Sequence, residues 1–186
     1  MSAPYNHRVL EPGTYELGPE NGTLSVRTKR TGAASKAGHD LLLHVTDWSG
    51  TVDVGADGTP TAVALDAKGA SLRVQEGTGG MMELGDDDVA SIHQSIDDDV
   101  LRKQDIAFRS TSVERGSDGA VHVQGDLTLV GKSHPVAFDL AAGDGSIRAH
   151  ATIKQSDFGI KQFSILFGAL KVADEVEVEI DATQSR

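Results

Sequence analysis

The stretch VHVQGDLTL at residues 121–129 decides the fold class, because apolar and polar residues alternate over nine positions without a break. One face holds Val121, Val123, Gly125, Leu127 and Leu129. Alternation with a period of two is the pattern of a half-buried β-strand. The stretch therefore predicts a strand with one face against a core and the other face in water.

Further short stretches carry related strand patterns and are separated by turn signals. The predicted strands lie at about 23–29, 39–46, 51–54, 63–65, 70–74, 106–113, 136–140, 147–153 and 176–180. Asp144 and Gly145 form a strong hairpin signal between two of them. Many short strands with close turns are typical of a β-sandwich or β-barrel, and hairpin connections favour an up-and-down antiparallel barrel.

Two segments break the strand pattern. Val89, Ile92, Ile96 and Val100 recur at helical spacing, which predicts a helix over about 87–103 with acidic residues at its start and Arg102 and Lys103 at its end. Residues 158–170 are rich in phenylalanine and aliphatic residues. They fit a loop or short helix that fills an apolar space.

Composition excludes several classes of function. The 186 residues include no cysteine, so thiol chemistry and cysteine-ligated metal sites are impossible. The formal net charge of −11 disfavours nucleic-acid binding and adsorption to anionic membranes. No apolar run is long enough for a transmembrane helix. Because residues 1–10 lack the apolar core of a signal peptide, we expect a cytoplasmic protein. The length of 186 residues predicts a single domain over residues 1–186.

Four segments, in order, resemble the YceI-like, lipocalin-like domain family. IAFRSTSV at 106–113 resembles its I-x-F-x-S-x-x-V strand, and VQGDLTLVGKSHPV at 123–136 resembles its G-x-L-T-x-x-G strand and turn followed by P-V. SDFGI at 156–160 and DEVEVEI at 174–180 resemble its D-F-G segment and closing strand. The resemblance covers about residues 15–182, which we take as the structured core.

The resemblance implies an all-β fold: an antiparallel lipocalin-like β-barrel with one or two short helices and an elongated apolar cavity. Members bind polyisoprenoid lipids, including isoprenoid quinones, and often form dimers, so a homodimer is one expected state. On this basis we expect a ligand-binding set and no catalytic residue, metal or cofactor. The expected set is Leu41, Leu43, Val45, Trp48, Phe108, Leu127, Leu129, Phe138, Ile153, Phe158, Phe163, Phe167 and Leu170.

The residue pattern alone leaves alternatives open for several of these positions. Inward faces more often form a solid core than a cavity, although small residues such as Gly125, Ala149 and Ala151 would leave room. Phe158, Phe163, Phe167 and Leu170 fit a flap over a cavity or a plug within a core. Trp48 fits a ligand-stacking role or a structural anchor.

Three functions follow from these alternatives. The first is the binding or carriage of a long-chain apolar lipid. The second is an interaction module with a filled barrel, acting through its acidic surface or a dimer face. The third is an enzyme with His39 or Asp40 at the rim, but no nucleophile or metal motif supports it, since His39 and His44 lack the spacing of a ligand pair. We therefore expect a lipid-binding protein that is not an enzyme.

Overall fold

A computed structural model describes residues 10–183. The segment used for the signal-peptide expectation therefore lies almost entirely outside the described residues. The strands are β1 (Gly13–Leu17), β2 (Gly22–Thr28), β3 (Arg30–Thr31), β4 (His39–Val45), β5 (Trp48–Val54), β6 (Pro60–Ala67), β7 (Leu72–Gly79), β8 (Ile106–Arg115), β9 (Val121–Leu129), β10 (Lys132–Gly143), β11 (Ser146–Lys154), β12 (Ser164–Ile165), β13 (Leu170–Val172) and β14 (Glu175–Thr183).

Eleven of these strands form one antiparallel sheet that curls around an apolar interior. Its order is β1-β5-β6-β8-β9-β10-β11-β14-β2-β4-β7. The all-β, antiparallel, lipocalin-like fold expected from the sequence is confirmed. The expected up-and-down order is wrong, because β4 and β5 follow one another in the chain but lie apart in the sheet. Alternation predicts which residues form strands, but it does not predict which strands pair.

Alternating burial along the strands produces the wall of the barrel. On β9, Val121 and Val123 are buried whereas His122 and Gln124 are exposed, as the period of two requires. The β10–β11 hairpin closes with a two-residue turn in which Asp144 and Gly145 have φ of 51° and 80°. Positive φ at both central residues is the conformation that Asp-Gly favours in a tight hairpin.

The helices are short and lie at the ends of strands. The α-helix α1 (Asp86–Ser95) continues into a π-helical turn (Ile96–Val100), and short 3₁₀ turns span Ser35–Ala37, Gly69–Ser71, Gln155–Phe158 and Leu166–Gly168. The helix predicted over 87–103 is thus present but ends earlier. Arg102 and Lys103 have φ of 52° and 56° and lie outside it, because the chain turns to bury Leu101 in the core.

A second, smaller sheet lies beside the barrel. It has the order β12-β13-β3, with Ser164 opposite Lys171 and Lys171 opposite Thr31. The Phe-rich segment 158–170 thus forms a 3₁₀ turn and a small hairpin, in outline the loop that the sequence predicts. This sheet places the hairpin next to β4, since Leu170 packs onto the 3₁₀ turn that precedes it.

Candidate functional site

The barrel encloses a cavity of about 880 Å³. Its walls are formed mainly by leucine, valine, isoleucine and phenylalanine side chains from the inward faces of the main sheet. Pockets for small molecules usually measure about 300–1,000 Å³ and are mostly apolar. The interior therefore has the size and the chemistry to hold an apolar ligand, whereas the filled-barrel alternative requires this space to be packed with side chains.

Most of the expected ligand-binding residues lie on the cavity wall. Those that line it are Leu41, Leu43, Val45, Phe108, Leu127, Leu129, Phe138, Ile153, Phe163 and Leu170. Phe108 and Phe138 face each other with ring centroids 5.4 Å apart. The residues of the main sheet lie on the inward faces of their strands, whereas Phe163 precedes β12 and Leu170 lies on β13. Alternation in the sequence is the signal that locates the strand residues.

Three of the expected residues lie elsewhere. Trp48 is buried in the main core, and its indole Nε1 has no hydrogen-bond partner among the described residues. Phe158 is buried in a second cluster with Leu129 and Ile153 and does not line the cavity. Phe167 points into solvent. None of these three residues lines the cavity, and their contact with a ligand stays a prediction.

Small residues have two different effects on the cavity. Ala149 and Ala151 line it, and their short side chains leave space. Gly125 does not line it: a Cβ there would lie 2.4 Å from the carbonyl oxygen of Arg109 and 2.5 Å from Cζ of Phe108. Gly125 is therefore needed for the close approach of Phe108 and not for the volume of the cavity.

One side of the cavity is covered by α1 and the turn that follows it, which the expected ligand-binding set missed. Ile92, Ile96 and Val100 line the cavity, together with Leu84 from the preceding loop. The helical spacing of these residues signalled a buried face, but the spacing does not show what the face covers. The helix therefore contributes directly to the candidate site.

His93 holds α1 against the edge strand β7. Its imidazole Nε2 accepts a hydrogen bond from the backbone N–H of Val74 at 3.0 Å. Burial, followed by the charge of Arg73, lowers the pKa of His93 below its ordinary value, and Asp97 opposes the shift. The neutral imidazole is the form that accepts this bond, so helix and strand are joined when His93 is uncharged.

The cavity opens between three adjacent segments. Eight exposed residues line the cavity, and one of them, His150, lies apart on the outer face of β11. The other seven are Ala37, Met81, Met82, Glu83, Asp88, Ser91 and Ile165. Together with Arg30, His39 and Lys171, which line the cavity beside them, they are called the mouth. His39 Nε2 donates to the carbonyl oxygen of Met82 at 2.7 Å, which ties the loop to β4.

Most charged lining groups lie at the mouth. The Arg30 side chain donates to the carbonyl oxygen of Gly38 at 2.6 Å, and its backbone N–H donates to Asp40 Oδ1 at 2.8 Å. Asp40 also lies 3.8 Å from the Lys29 ammonium. His39 and Asp40, the rim residues considered for catalysis, thus make contacts that order the mouth.

Ser110, Thr111 and Ser112 do not line the cavity. The register between β8 and β9 shifts between Ser110 and Ser112, which marks a β-bulge, and Ser110 Oγ accepts a hydrogen bond from the N–H of Val63 at 2.9 Å.

Among residues 10–183, no three His, Asp or Glu side chains lie close enough to hold a metal ion. No helix in the same range is long and apolar enough to cross a membrane.

Comparison with known proteins gives a family and a fold. The family model of the YceI-like domain matches residues 15–184. Crystal structures of BcnA from Burkholderia cenocepacia and of the YceI protein from Campylobacter jejuni are similar, with TM-scores of 0.63 and 0.53 at 16% and 17% identity. The matches cover 88% of this chain and 96% of BcnA, and 77% of this chain and 85% of the Campylobacter protein. No curated protein sequence matches the chain. The chain belongs to the YceI-like domain family.

Proposed function

We propose that this protein binds and carries a long-chain apolar lipid of the polyisoprenoid or isoprenoid-quinone class. The observation that carries the proposal is the apolar cavity of about 880 Å³, open to solvent at one mouth. Membership of the YceI-like family supports the ligand class, since the family binds apolar ligands. An elongated hydrocarbon with little polar surface matches a wall of leucine, isoleucine, valine and phenylalanine.

The binding free energy comes from removing the lipid chain from water. Each buried CH₂ contributes about 0.8 kcal/mol, so several isoprene units outweigh the cost of immobilising the ligand. Methyl branches pack against the aliphatic wall without leaving a buried polar group unsatisfied. A carrier of this kind discriminates by length and apolarity, because the wall offers few hydrogen bonds for selecting among similar chains.

The polar end of the ligand belongs at the mouth. Arg30 and Lys171 carry donors that line the cavity there, and Glu83 and Asp88 carry acceptors. Placing a hydroxyl or quinone oxygen deeper would strand it among apolar side chains. We therefore expect the hydrocarbon chain to lie inside the barrel with its head group between β4, the loop before α1 and the small sheet.

The proposal assigns no catalytic step and no cofactor to the cavity. His39 donates to a backbone carbonyl, and Asp40 is held by Arg30 and Lys29, so both groups have structural partners. The homodimer and the cytoplasmic location expected from the sequence stay predictions. Carriage of a lipid requires neither of them.

Uptake by delipidated protein tests the proposal. A fluorescent polyene fatty acid serves as the reporter, and geranylgeraniol and solanesol serve as competitors. Ala149→Phe places a ring in the cavity, and we expect the affinity to fall by about tenfold or more because at least two CH₂ groups lose their site. Ala141→Phe, at an exposed position on β10, is the matched control and should bind as the wild type does.

The proposal fails if the delipidated wild-type protein takes up neither the reporter nor the isoprenoids. Equal loss of uptake in both phenylalanine variants would also contradict it, because the added ring would then act through general destabilisation. Circular dichroism of each variant shows whether the β-structure is retained. Uptake retained by Ala149→Phe would place the ligand outside the cavity.

A further inference from the structure

Three consecutive apolar side chains are exposed at the end of the β12–β13 hairpin. Ile165 is 48% exposed, Leu166 is 55% exposed and Phe167 is 112% exposed. These three residues are called the hairpin tip. Adjacent large apolar groups in water mark interaction sites. None of the three belongs to a core cluster, so their exposed surface can be buried against something outside the chain.

The tip is held in place by its backbone. Ser164 and Ile165 pair with Lys171 and Leu170, and the N–H of Ala169 donates to the carbonyl oxygen of Leu166 at 3.0 Å. Leu166 and Phe167 have φ of 53° and 55°, in the left-handed region that residues other than glycine rarely adopt. This turn directs the Phe167 ring outward, away from the barrel.

The segments beside the tip are basic, although the chain is acidic. Residues 29–39, 159–164 and 168–173, called the basic lip, contain no aspartate or glutamate, whereas the chain as a whole carries 28 acidic residues against 17 basic ones. The lip's cations are Lys29, Arg30, Lys36, Lys161 and Lys171. In the described part of the chain, Lys36, Lys161 and Lys171 belong to no ion pair.

We propose that the hairpin tip inserts into the surface of a bilayer containing anionic lipids, with the basic lip against the lipid headgroups. Apolar side chains flanked by lysines are the arrangement by which peripheral proteins bind membrane interfaces. Charges further away than about 8 Å are largely screened at physiological ionic strength. The unpaired lysines of the lip therefore act on nearby headgroups more strongly than acidic residues more than about 8 Å away do.

The tip is continuous with the cavity. Ile165 is exposed and also lines the cavity, and Leu170 and Lys171 line it from the same hairpin. A docked hairpin would place the mouth at the lipid surface, so a chain could pass between bilayer and barrel with little exposure to water. This use of docking rests on the proposed function, whereas docking itself requires no bound ligand.

The opposite side of the mouth supplies a matched control. Met81 and Met82 are each 80% exposed, so they are as accessible as the tip. They are followed by Glu83 and by the acidic residues Asp86–Asp88 at the start of α1, which do not complement anionic headgroups. The proposal therefore requires the tip and not the methionine pair.

Vesicle flotation tests the proposal on the full chain. The vesicles contain phosphatidylcholine and phosphatidylglycerol, or phosphatidylcholine alone. Leu166→Ser with Phe167→Ser should lower the partition coefficient by at least about tenfold, and Met81→Ser with Met82→Ser should change it by less than about twofold. Lys36→Gln and Lys161→Gln should each lower binding to the anionic vesicles by about fivefold, with little effect on phosphatidylcholine alone.

A fluorescence measurement reports the depth of the tip. In Phe167→Trp, the new indole should shift its emission to shorter wavelength when anionic vesicles are added. Trp48, the chain's one tryptophan, is buried and provides a constant background. Absence of vesicle binding by the wild type, or binding that the two tip substitutions leave unchanged, would overturn the proposal.

Two further outcomes separate this proposal from its alternatives. A wild-type dimer in sedimentation that becomes monomeric with the tip substitutions would show that a second copy covers the tip, and would overturn membrane docking. Reporter uptake is measured without vesicles in the same variants. Normal uptake by the tip variant, together with loss of its vesicle binding, supports docking as a separate step. If the wild type takes up no reporter but still binds vesicles, lipid carriage is refuted and docking is supported.

Discussion

Two apolar regions of this molecule have the same kinds of side chain and opposite surroundings. The wall of the curled sheet buries Val52, Val123 and Ile147, which are at most 1% exposed. The hairpin tip of Ile165, Leu166 and Phe167 lies in water. The wall stabilises the fold because its area is removed from water, whereas the tip gains nothing comparable from folding. Apolar character in the sequence therefore indicates stability in one place and contact with something outside the chain in the other.

The largest expected difference between the two regions comes from one substitution made in both. Ile147→Ala removes buried methyl groups and should lower the free energy of unfolding by about 2–5 kcal/mol. Ile165→Ala removes the same atoms from a half-exposed site and should change it by about 0.5 kcal/mol or less. Urea denaturation measures both. Equal losses would show that the tip is part of the folded core.

The hydrogen bonds of Arg30, next to the hairpin, should contribute less to the free energy of unfolding than the buried side chains of the wall. Arg30 donates from its side chain to Gly38 and Thr78 carbonyl oxygens and lies on β3, which pairs with the hairpin strand β13. Arg30→Ala should lower the free energy of unfolding by about 1.5–3 kcal/mol, the usual effect of losing hydrogen bonds to a charged group. Arg148→Ala breaks an exposed pair with Asp181 and should cost about 1 kcal/mol or less. A larger loss from Arg148→Ala would reverse this ranking.

The helix side of the mouth should loosen in acid. Burial lowers the pKa of His93 in the folded protein, so the folded state binds fewer protons at this site than the unfolded chain. The stabilisation is present above the unfolded value of about 6.5 and is lost as the pH falls toward the lower folded pKa. The protection factor of the Val74 amide, which corrects for the intrinsic pH dependence of exchange, should fall over that window. The protection factor in His93→Leu should show no such fall, and a constant protection factor in the wild type would contradict this role of His93.

The smallest effect is expected outside the barrel. His122 on β9 bonds to Asp139 at 2.6 Å, and this hydrogen bond raises the pKa of the imidazole. The pair's stabilisation is present below about pH 6.5 and is lost as the pH rises through the folded pKa, the opposite direction to His93. An NMR titration should show the pKa of His93 below the ordinary value and the pKa of His122 above it, and Asp139→Asn should return the pKa of His122 toward the ordinary value. Shifts of the two pKa values in the same direction would contradict the partners given for His93 and His122.

Much of the wall could be predicted because strand alternation is a local property. The period of two along β9 and β11 identifies which residues face inward, and the two-residue turn at Asp144 and Gly145 is encoded by conformations that these residues adopt readily. The helical spacing of Ile92 and Ile96 likewise indicates a buried face. These features need no knowledge of distant residues.

The placement of the remaining residues depends on contacts between distant parts of the chain. Phe158, Phe163 and Phe167 are equally apolar in the sequence, yet they lie in a core cluster, on the cavity wall and in solvent. Strand order and the turn at Leu166 separate them, and neither follows from local pattern. Most of the mouth could not be located from local pattern for the same reason, because Arg30, Met82 and Lys171 come together only through the small sheet and the edge of β4.

A native mass spectrum of gently purified protein shows whether the barrel holds an apolar chain. We expect a species heavier than the polypeptide, whose excess mass is removed by organic solvent and is recovered in the extract as an isoprenoid lipid. Protein at the polypeptide mass alone, together with no uptake of geranylgeraniol or solanesol after delipidation, would contradict this expectation.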